Sequence, residues 1–134
     1  MTTTLRTNRP AITKEAAMSI EYVFAGMAVT RLDVAMQWYE RLLGRPPDMR
    51  PNEREATWQV AQTASVYLVA DDDRAGRSAV TMFVDDLDAE LDAITRRGIS
   101  VGQIETAPGL FRRVMISDPD GNAIQLAELP GDRD

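Results

Sequence analysis

The sequence predicts an α+β domain of two tandem βαβββ modules, and three observations carry that reading. Val29-x-x-Leu32 returns as Val84-x-x-Leu87, 55 residues later, and Val66-Tyr-Leu68 returns as Ile124-Gln-Leu126, 58 residues later. Each match marks the same step, a strand running into a helix in the first case and a late strand of the module in the second, so the chain repeats a supersecondary unit. The third observation is Asp118-Pro-Asp-Gly-Asn122, a tight hairpin turn that closes the second half.

In the first half, residues 20–29 read as a strand, with Ala25, Met27 and Val29 on one face and Phe24, Gly26 and Ala28 on the other. Thr30-Arg-Leu-Asp33 has the spacing of a capping box. Leu32, Ala35, Met36, Tyr39, Leu42 and Leu43 then recur at helical spacing, which predicts a helix over 31–43 with one apolar face. Gly44 ends it and Pro46-Pro47 forbids continuation. Short strands are expected near 48–51, 56–60 and 65–70, followed by a solvated acidic loop, Asp71-Asp-Asp-Arg-Ala-Gly76, without the spacing of a calcium loop.

The second half restarts with a strand over 79–84, acidic capping residues in Asp85-Asp-Leu-Asp88, and a helix over 86–97 lined by Leu87, Leu91 and Ile94 that stops at Gly98. Strands near 101–106, 111–117 and 123–128 complete it. Residues 1–18 are polar, contain Pro10 and lack a clear period, so they read as an N-terminal extension with a short helical turn at 13–18. The expected organisation is the extension at 1–18 and one domain at 19–130, with module one at 19–73 and module two at 77–130.

Composition narrows the chemistry. The 134 residues suffice for one real core. There is no histidine and no cysteine, which removes Ser-His-Asp and Cys-His catalysis and every zinc site built on imidazole or thiolate. A net charge of −6 disfavours nucleic acid as a partner. No apolar run reaches the ~20 residues that cross a bilayer. Residues 1–10 carry no secretory core, so the expectation is a cytoplasmic protein with no membrane partner.

Three segments in order resemble the vicinal oxygen chelate superfamily, which holds glyoxalases, bleomycin-resistance proteins and dioxygenases. They are the strand and helix from Met27 to Gly44, with the pair Trp38-Tyr39 and the ending Leu43-Gly44; the stretch Val84-Asp-Asp-Leu-Asp-Ala-Glu-Leu91 with Arg97-Gly98; and Asp118-Pro-Asp-Gly-Asn122 followed by Ile124-Gln-Leu126. The resemblance implies a mixed sheet curved into a cup, with the helices outside. Strand alternation then turns Ala79, Thr81 and Phe83, Ser65, Tyr67 and Val69, and Ala123, Gln125 and Ala127 toward the cup. Phe24, Tyr67, Thr81, Phe83, Phe111, Arg113, Met115 and Gln125 are the candidate ligand-binding residues, with Thr57 and Gln59 as further polar handles. These side chains either contact a ligand or simply fill the cup. Arg113 pairs with an anionic ligand or with Glu55.

Metal-dependent members of the superfamily hold their ion at four cup positions, which carry over to Phe24, Tyr67, Ala79 and Gln125. Phe24 and Ala79 offer no donor, and a neutral phenol and an amide are poor ligands, so no metal and no other cofactor are expected. No catalytic residue is assigned.

The first functional reading is a metal-free protein that binds a small organic molecule in the cup, as bleomycin-resistance proteins do. The alternative is a lyase, isomerase or dioxygenase-like enzyme of the same superfamily with unusual or absent metal ligands. A third is a domain kept for protein interaction. The resemblance also implies a homodimer, for which Trp58, Met49 and Pro46-Pro47 are candidate contacts.

Overall fold

The computed structural model describes residues 18–130. The expected extension, with its helical turn at 13–18, lies outside the described residues except for Met18. Nine elements follow in order: β1 (Val23–Val29), α1 (Leu32–Leu43), β2 (Glu55–Ala61), β3 (Ala64–Ala70), β4 (Ala79–Phe83), α2 (Leu87–Arg96), β5 (Glu105–Ala107), β6 (Phe111–Ser117) and β7 (Ala123–Glu128). The strands form two mixed sheets, β1-β3-β2 and β4-β7-β6-β5. In each, the strand before the helix pairs in parallel with the last strand of its module.

The registers match between the sheets. Ala25, Gly26 and Met27 lie opposite Val66, Tyr67 and Leu68, while Val80, Thr81 and Met82 lie opposite Ile124, Gln125 and Leu126. The inward residues of this alternation meet the helices. Met27, Val29, Trp58, Val66, Leu68, Val114, Ile116, Ile124 and Leu126 are buried against Ala35, Tyr39 and Leu42 of α1 and Leu87, Leu91 and Ile94 of α2. Both modules thus share one hydrophobic core, and the opposite face of each sheet is open in part, exposing Phe24, Phe83 and Met115 while Thr57 and Ser65 are buried. Among the described residues, no helix is long and apolar enough to cross a membrane.

Polar contacts weld the modules. The Tyr39 hydroxyl donates to Asp118 Oδ2 at 2.8 Å, and Arg97 Nη2 donates to Leu42 O, near the end of α1, at 2.9 Å. Asn122 Nδ2 donates to Ala28 O at 2.8 Å, and Ser78 N–H donates to Asn122 Oδ1 at 2.8 Å. The hairpin turn at Asp118–Asn122 therefore does more than reverse the chain. It ties β1 to the start of β4.

Several expected details change. Strand β1 starts at Val23 rather than near residue 20, because its partner β3 begins at Ala64, opposite Val23. The expected strand near 101–106 shrinks to Glu105–Ala107, while Val101 and Ile104 pack on the core instead of pairing. The strand expected at 48–51 is reduced to one bridge, Met49 with Thr57, since prolines flank it and side chains take over the remaining edge bonds. The capping box at Thr30 does not form. Arg31 is the N-cap with no side-chain bond, and Thr30 Oγ1 donates to Asp120 Oδ1 at 2.7 Å instead. Asp86 does cap α2, accepting from Ala89 N–H at 3.1 Å. At the end of α1, Gly44 adopts φ 84°, where a Cβ would be strained, and donates back to Glu40 O.

One edge contact gives a pH prediction. Asp48 Oδ2 accepts the Gln59 N–H at 2.6 Å and lies 3.0 Å from Arg45 Nη2. The Gln59 amide first, and then Arg45, hold the Asp48 carboxyl below its ordinary value despite a small opposing effect of desolvation. A carboxyl lowered on folding stabilises fully above its unfolded pKa of about 3.9, and that contribution disappears as pH falls through the lower folded value. In an NMR titration, Asp48 should protonate below the usual aspartate midpoint, and the Gln59 amide shift should move with the same midpoint. An ordinary Asp48 midpoint, or an unresponsive Gln59 amide, contradicts the contact.

Candidate functional site

The open faces of the two sheets form the candidate site. On the first, β1 carries Phe24 and β3 carries Tyr67, with ring centroids 6.4 Å apart in an edge-on arrangement. Tyr22 adds a third ring 5.0 Å from Phe24, and its hydroxyl shares a 2.7 Å hydrogen bond with Ser65 Oγ. Gly26 makes this layout possible. A Cβ there would sit 2.6 Å from Tyr67 Cζ, so the tyrosine ring lies down on the strand only because the residue beneath it has no side chain.

On the second sheet a polar ladder crosses the strands. Gln125 lies opposite Thr81 on one side and Met115 on the other, and Arg113 lies opposite Glu105. Arg113 Nε donates to Glu105 Oε1 at 3.0 Å and Nη1 to Gln125 Oε1 at 3.3 Å. Gln125 Nε2 passes the chain on to Thr81 Oγ1 at 3.3 Å. The Arg113 guanidinium also stands 5.2 Å from the Phe111 ring centroid. Beside this ladder Phe83 and Met115 remain 49% and 52% exposed, and Phe24 on the first sheet is 58% exposed.

These exposures set Phe24, Phe83 and Met115 apart from the core rings of Tyr39 and Trp58, which are 2% and 0% exposed. The structure gathers Phe24 with Tyr67, and Thr81, Gln125, Arg113 and Phe111 with one another, as two clusters on two sheets. Arg113 does not pair with Glu55. The register sets Glu105 directly opposite it, while Glu55 belongs to the other sheet. Thr57 lies opposite Tyr67 but is buried, and Gln59 Nε2 is spent on Gln62 O at 3.0 Å. Trp58 is interior, donating Nε1–H to Arg45 O at 2.9 Å, so it is not available as a dimer contact.

Sequence reasoning missed two members. Tyr22 lies two residues before Phe24 and shares its face by alternation, a signal that was readable. Glu105 lay in the strand expected near 101–106, but only the β5–β6 register sets it opposite Arg113.

A divalent ion does not fit the four inherited positions. Phe24 and Ala79 carry no donor atoms, and Gln125 Oε1 already accepts from a guanidinium whose charge would repel a cation. Among the described residues, no group of three or more acidic side chains is placed to hold a metal.

A family model, the Glyoxalase/Bleomycin resistance protein/Dioxygenase superfamily, matches residues 20–126. The chain belongs to this superfamily. Among solved structures, it resembles a glyoxalase/bleomycin resistance protein from Catenulispora acidiphila DSM 44928, at 38% identity over 81% of this chain and 98% of that one, with a TM-score of 0.78. It also resembles TnmS3, an antibiotic binding protein from Streptomyces sp. CB03234, at 25% identity over 84% and 99% of the chains, with a TM-score of 0.68. A lactoylglutathione lyase from Agrobacterium tumefaciens, 19% identical over 84% and 94% of the chains with a TM-score of 0.62, shares the fold. No curated protein matches the chain. Within the superfamily, this chain presents an aromatic cluster on one sheet and, on the other, a polar ladder that ends in the Arg113–Glu105 ion pair.

Proposed function

We propose that the protein is a metal-free binder of a small organic molecule, which it seats against Phe24 and Tyr67 on one sheet and the Thr81–Gln125–Arg113 ladder on the other. The observation that carries this reading is the exposure of Phe24, Phe83 and Met115 around polar side chains that are already hydrogen-bonded. Exposed apolar surface beside a few oriented polar groups is the ordinary composition of a small-molecule site. The antibiotic-binding relative at 25% identity supports the same reading. The ladder leaves some Arg113 donors unspent, so the ligand's polar group is an acceptor.

We further propose that two copies pair as a homodimer, with Met49 and Pro46-Pro47 at the contact in place of the buried Trp58. A thermal-shift screen of small organic molecules, antibiotics included, followed by calorimetry on the hits, tests both readings when light scattering accompanies it. The expected outcome is a hit that binds equally well with and without EDTA and weakens by about tenfold or more in Phe24→Ala and Tyr67→Ala. Scattering should give the mass of two chains, with two ligands per dimer. A screen without hits, or affinities indifferent to both substitutions, removes the binding reading. A one-chain mass across micromolar concentrations removes the dimer.

A further inference from the structure

Strand β2 is an edge strand whose outward backbone groups are closed partly by the backbone of residues 48–52 and partly by side chains. The Glu55 carbonyl accepts from Arg50 Nε at 2.8 Å. Thr57 N–H donates to Met49 O at 2.9 Å, and its carbonyl accepts from Asp48 N–H at 2.8 Å. At Gln59 no neighbouring backbone arrives among the described residues. Its N–H donates to Asp48 Oδ2 at 2.6 Å and its carbonyl accepts from Arg45 Nη2. Arg45 and Asp48 lie 3.0 Å apart, each with 45% of its side chain exposed. This ion pair therefore stands where the next strand's peptide would stand, the carboxylate in place of a C=O and the guanidinium in place of an N–H.

The end of the edge strand needs such a device. Gln59, Val60 and Ala61 of β2, and Gln62 and Thr63 of the turn that follows, contain no charge and no proline. Edge strands ordinarily avoid pairing with other chains by carrying lysines, prolines or bulges. Here a bulge between Gln59 and Ala61 is the only such feature on the strand itself. In module two the corresponding position is filled by β5, whose backbone pairs with β6 from Glu105 to Ala107.

We propose that the Arg45–Asp48 pair is a latch on the β2 edge, and that releasing it exposes a strand-addition surface at Gln59–Ala61 that pairs antiparallel with the same surface of a second copy. Antiparallel edge pairing is self-complementary under a two-fold axis, and an uncharged segment meets its own copy without repulsion. The inference concerns the sheet edge and is independent of ligand binding in the cup.

The test uses the full chain with Asp48→Ala, Asp48→Asn, Arg45→Ala and the double variant Asp48→Ala/Gln59→Pro, each checked by circular dichroism for retained fold. Hydrogen exchange at the Gln59 amide should accelerate by about tenfold or more in Asp48→Ala, which loses a charge-assisted bond. It should accelerate less in Asp48→Asn, which keeps an acceptor oxygen. The mass of Asp48→Ala by light scattering should exceed that of the wild type at equal concentration, and Gln59→Pro should return it to the wild-type mass by removing the donor. Wild-type exchange at Gln59, or an unchanged mass across the concentration range, overturns the proposal. So does association that Gln59→Pro leaves intact. If Asp48→Ala fails to fold, Arg45→Ala decides, since it frees only the Gln59 carbonyl and must still raise the mass.

Discussion

Replacing Trp58 with alanine should lower the unfolding free energy by about 3–5 kcal/mol, the cost of emptying the largest fully buried side-chain volume in a core. The indole packs against Tyr39 with ring centroids 6.0 Å apart, so its removal leaves a void between β2 and α1. It also deprives Arg45 O of its indole donor. Trp58→Phe keeps much of the volume but not the N–H, and should lose distinctly less. Chemical denaturation with an unchanged m-value measures both. For a domain of this size the alanine variant should melt roughly 10–20 °C below the wild type. A loss under about 1 kcal/mol would show that Trp58 is not enclosed as described.

Asn122→Ala should cost a comparable amount, about 3–5 kcal/mol, for a polar reason. The side chain is wholly buried and serves three partners: Ser78 N–H, Ala28 O and Asp118 Oδ2. Alanine takes the acceptor from the part-buried Ser78 N–H and leaves the buried Ala28 carbonyl with only the long 3.4 Å bond from Gly76 N–H, losses of about 1–3 kcal/mol each. Asp118 stays partly satisfied, because it also accepts from the backbone N–H groups of Asp120 and Asn122 and from Tyr39. Burial, and then the Asp118 charge, push the Tyr39 phenol far above its ordinary value, so it remains a donor throughout the physiological range. Asn122→Asp is the sharper variant. It would set a second carboxylate 2.8 Å from Asp118 Oδ2 and remove the donor to Ala28 O, so it should destabilise at least as much as alanine at neutral pH. Urea denaturation of both variants checks this, and an Asn122→Asp protein as stable as the wild type would refute the described network.

These two residues also separate what periodicity can report from what it cannot. Trp58 lies on an expected strand, whose period allows the core as well as the dimer contact named for it, and the structure puts it in the core. Asn122 was readable only as the end of a turn. Its role depends on Ala28 and Ser78, which lie 94 and 44 residues away in sequence, and no local pattern encodes such a meeting. The candidate site divides in the same way. Alternation turned Phe24, Tyr67, Thr81 and Gln125 to the open face, and the structure exposes that face. The partner of Arg113 required the β5–β6 register, which aligns Glu105 rather than Glu55.

The sequence by itself determined the two-module repeat, both helices to within a residue or two, the closing hairpin, and the absence of imidazole and thiol chemistry. Each of these follows from residue type and short-range period, since burial of one face of a helix or strand writes itself into the chain every two to four residues. Only the tertiary structure decided that Thr30 bonds Asp120 instead of capping α1, that a single bridge and side chains rather than a strand close the β2 edge, and that the rings of Phe24 and Phe83 stay exposed. Those outcomes are competitions between partners distant in sequence, and three-dimensional placement alone decides which partner is nearer.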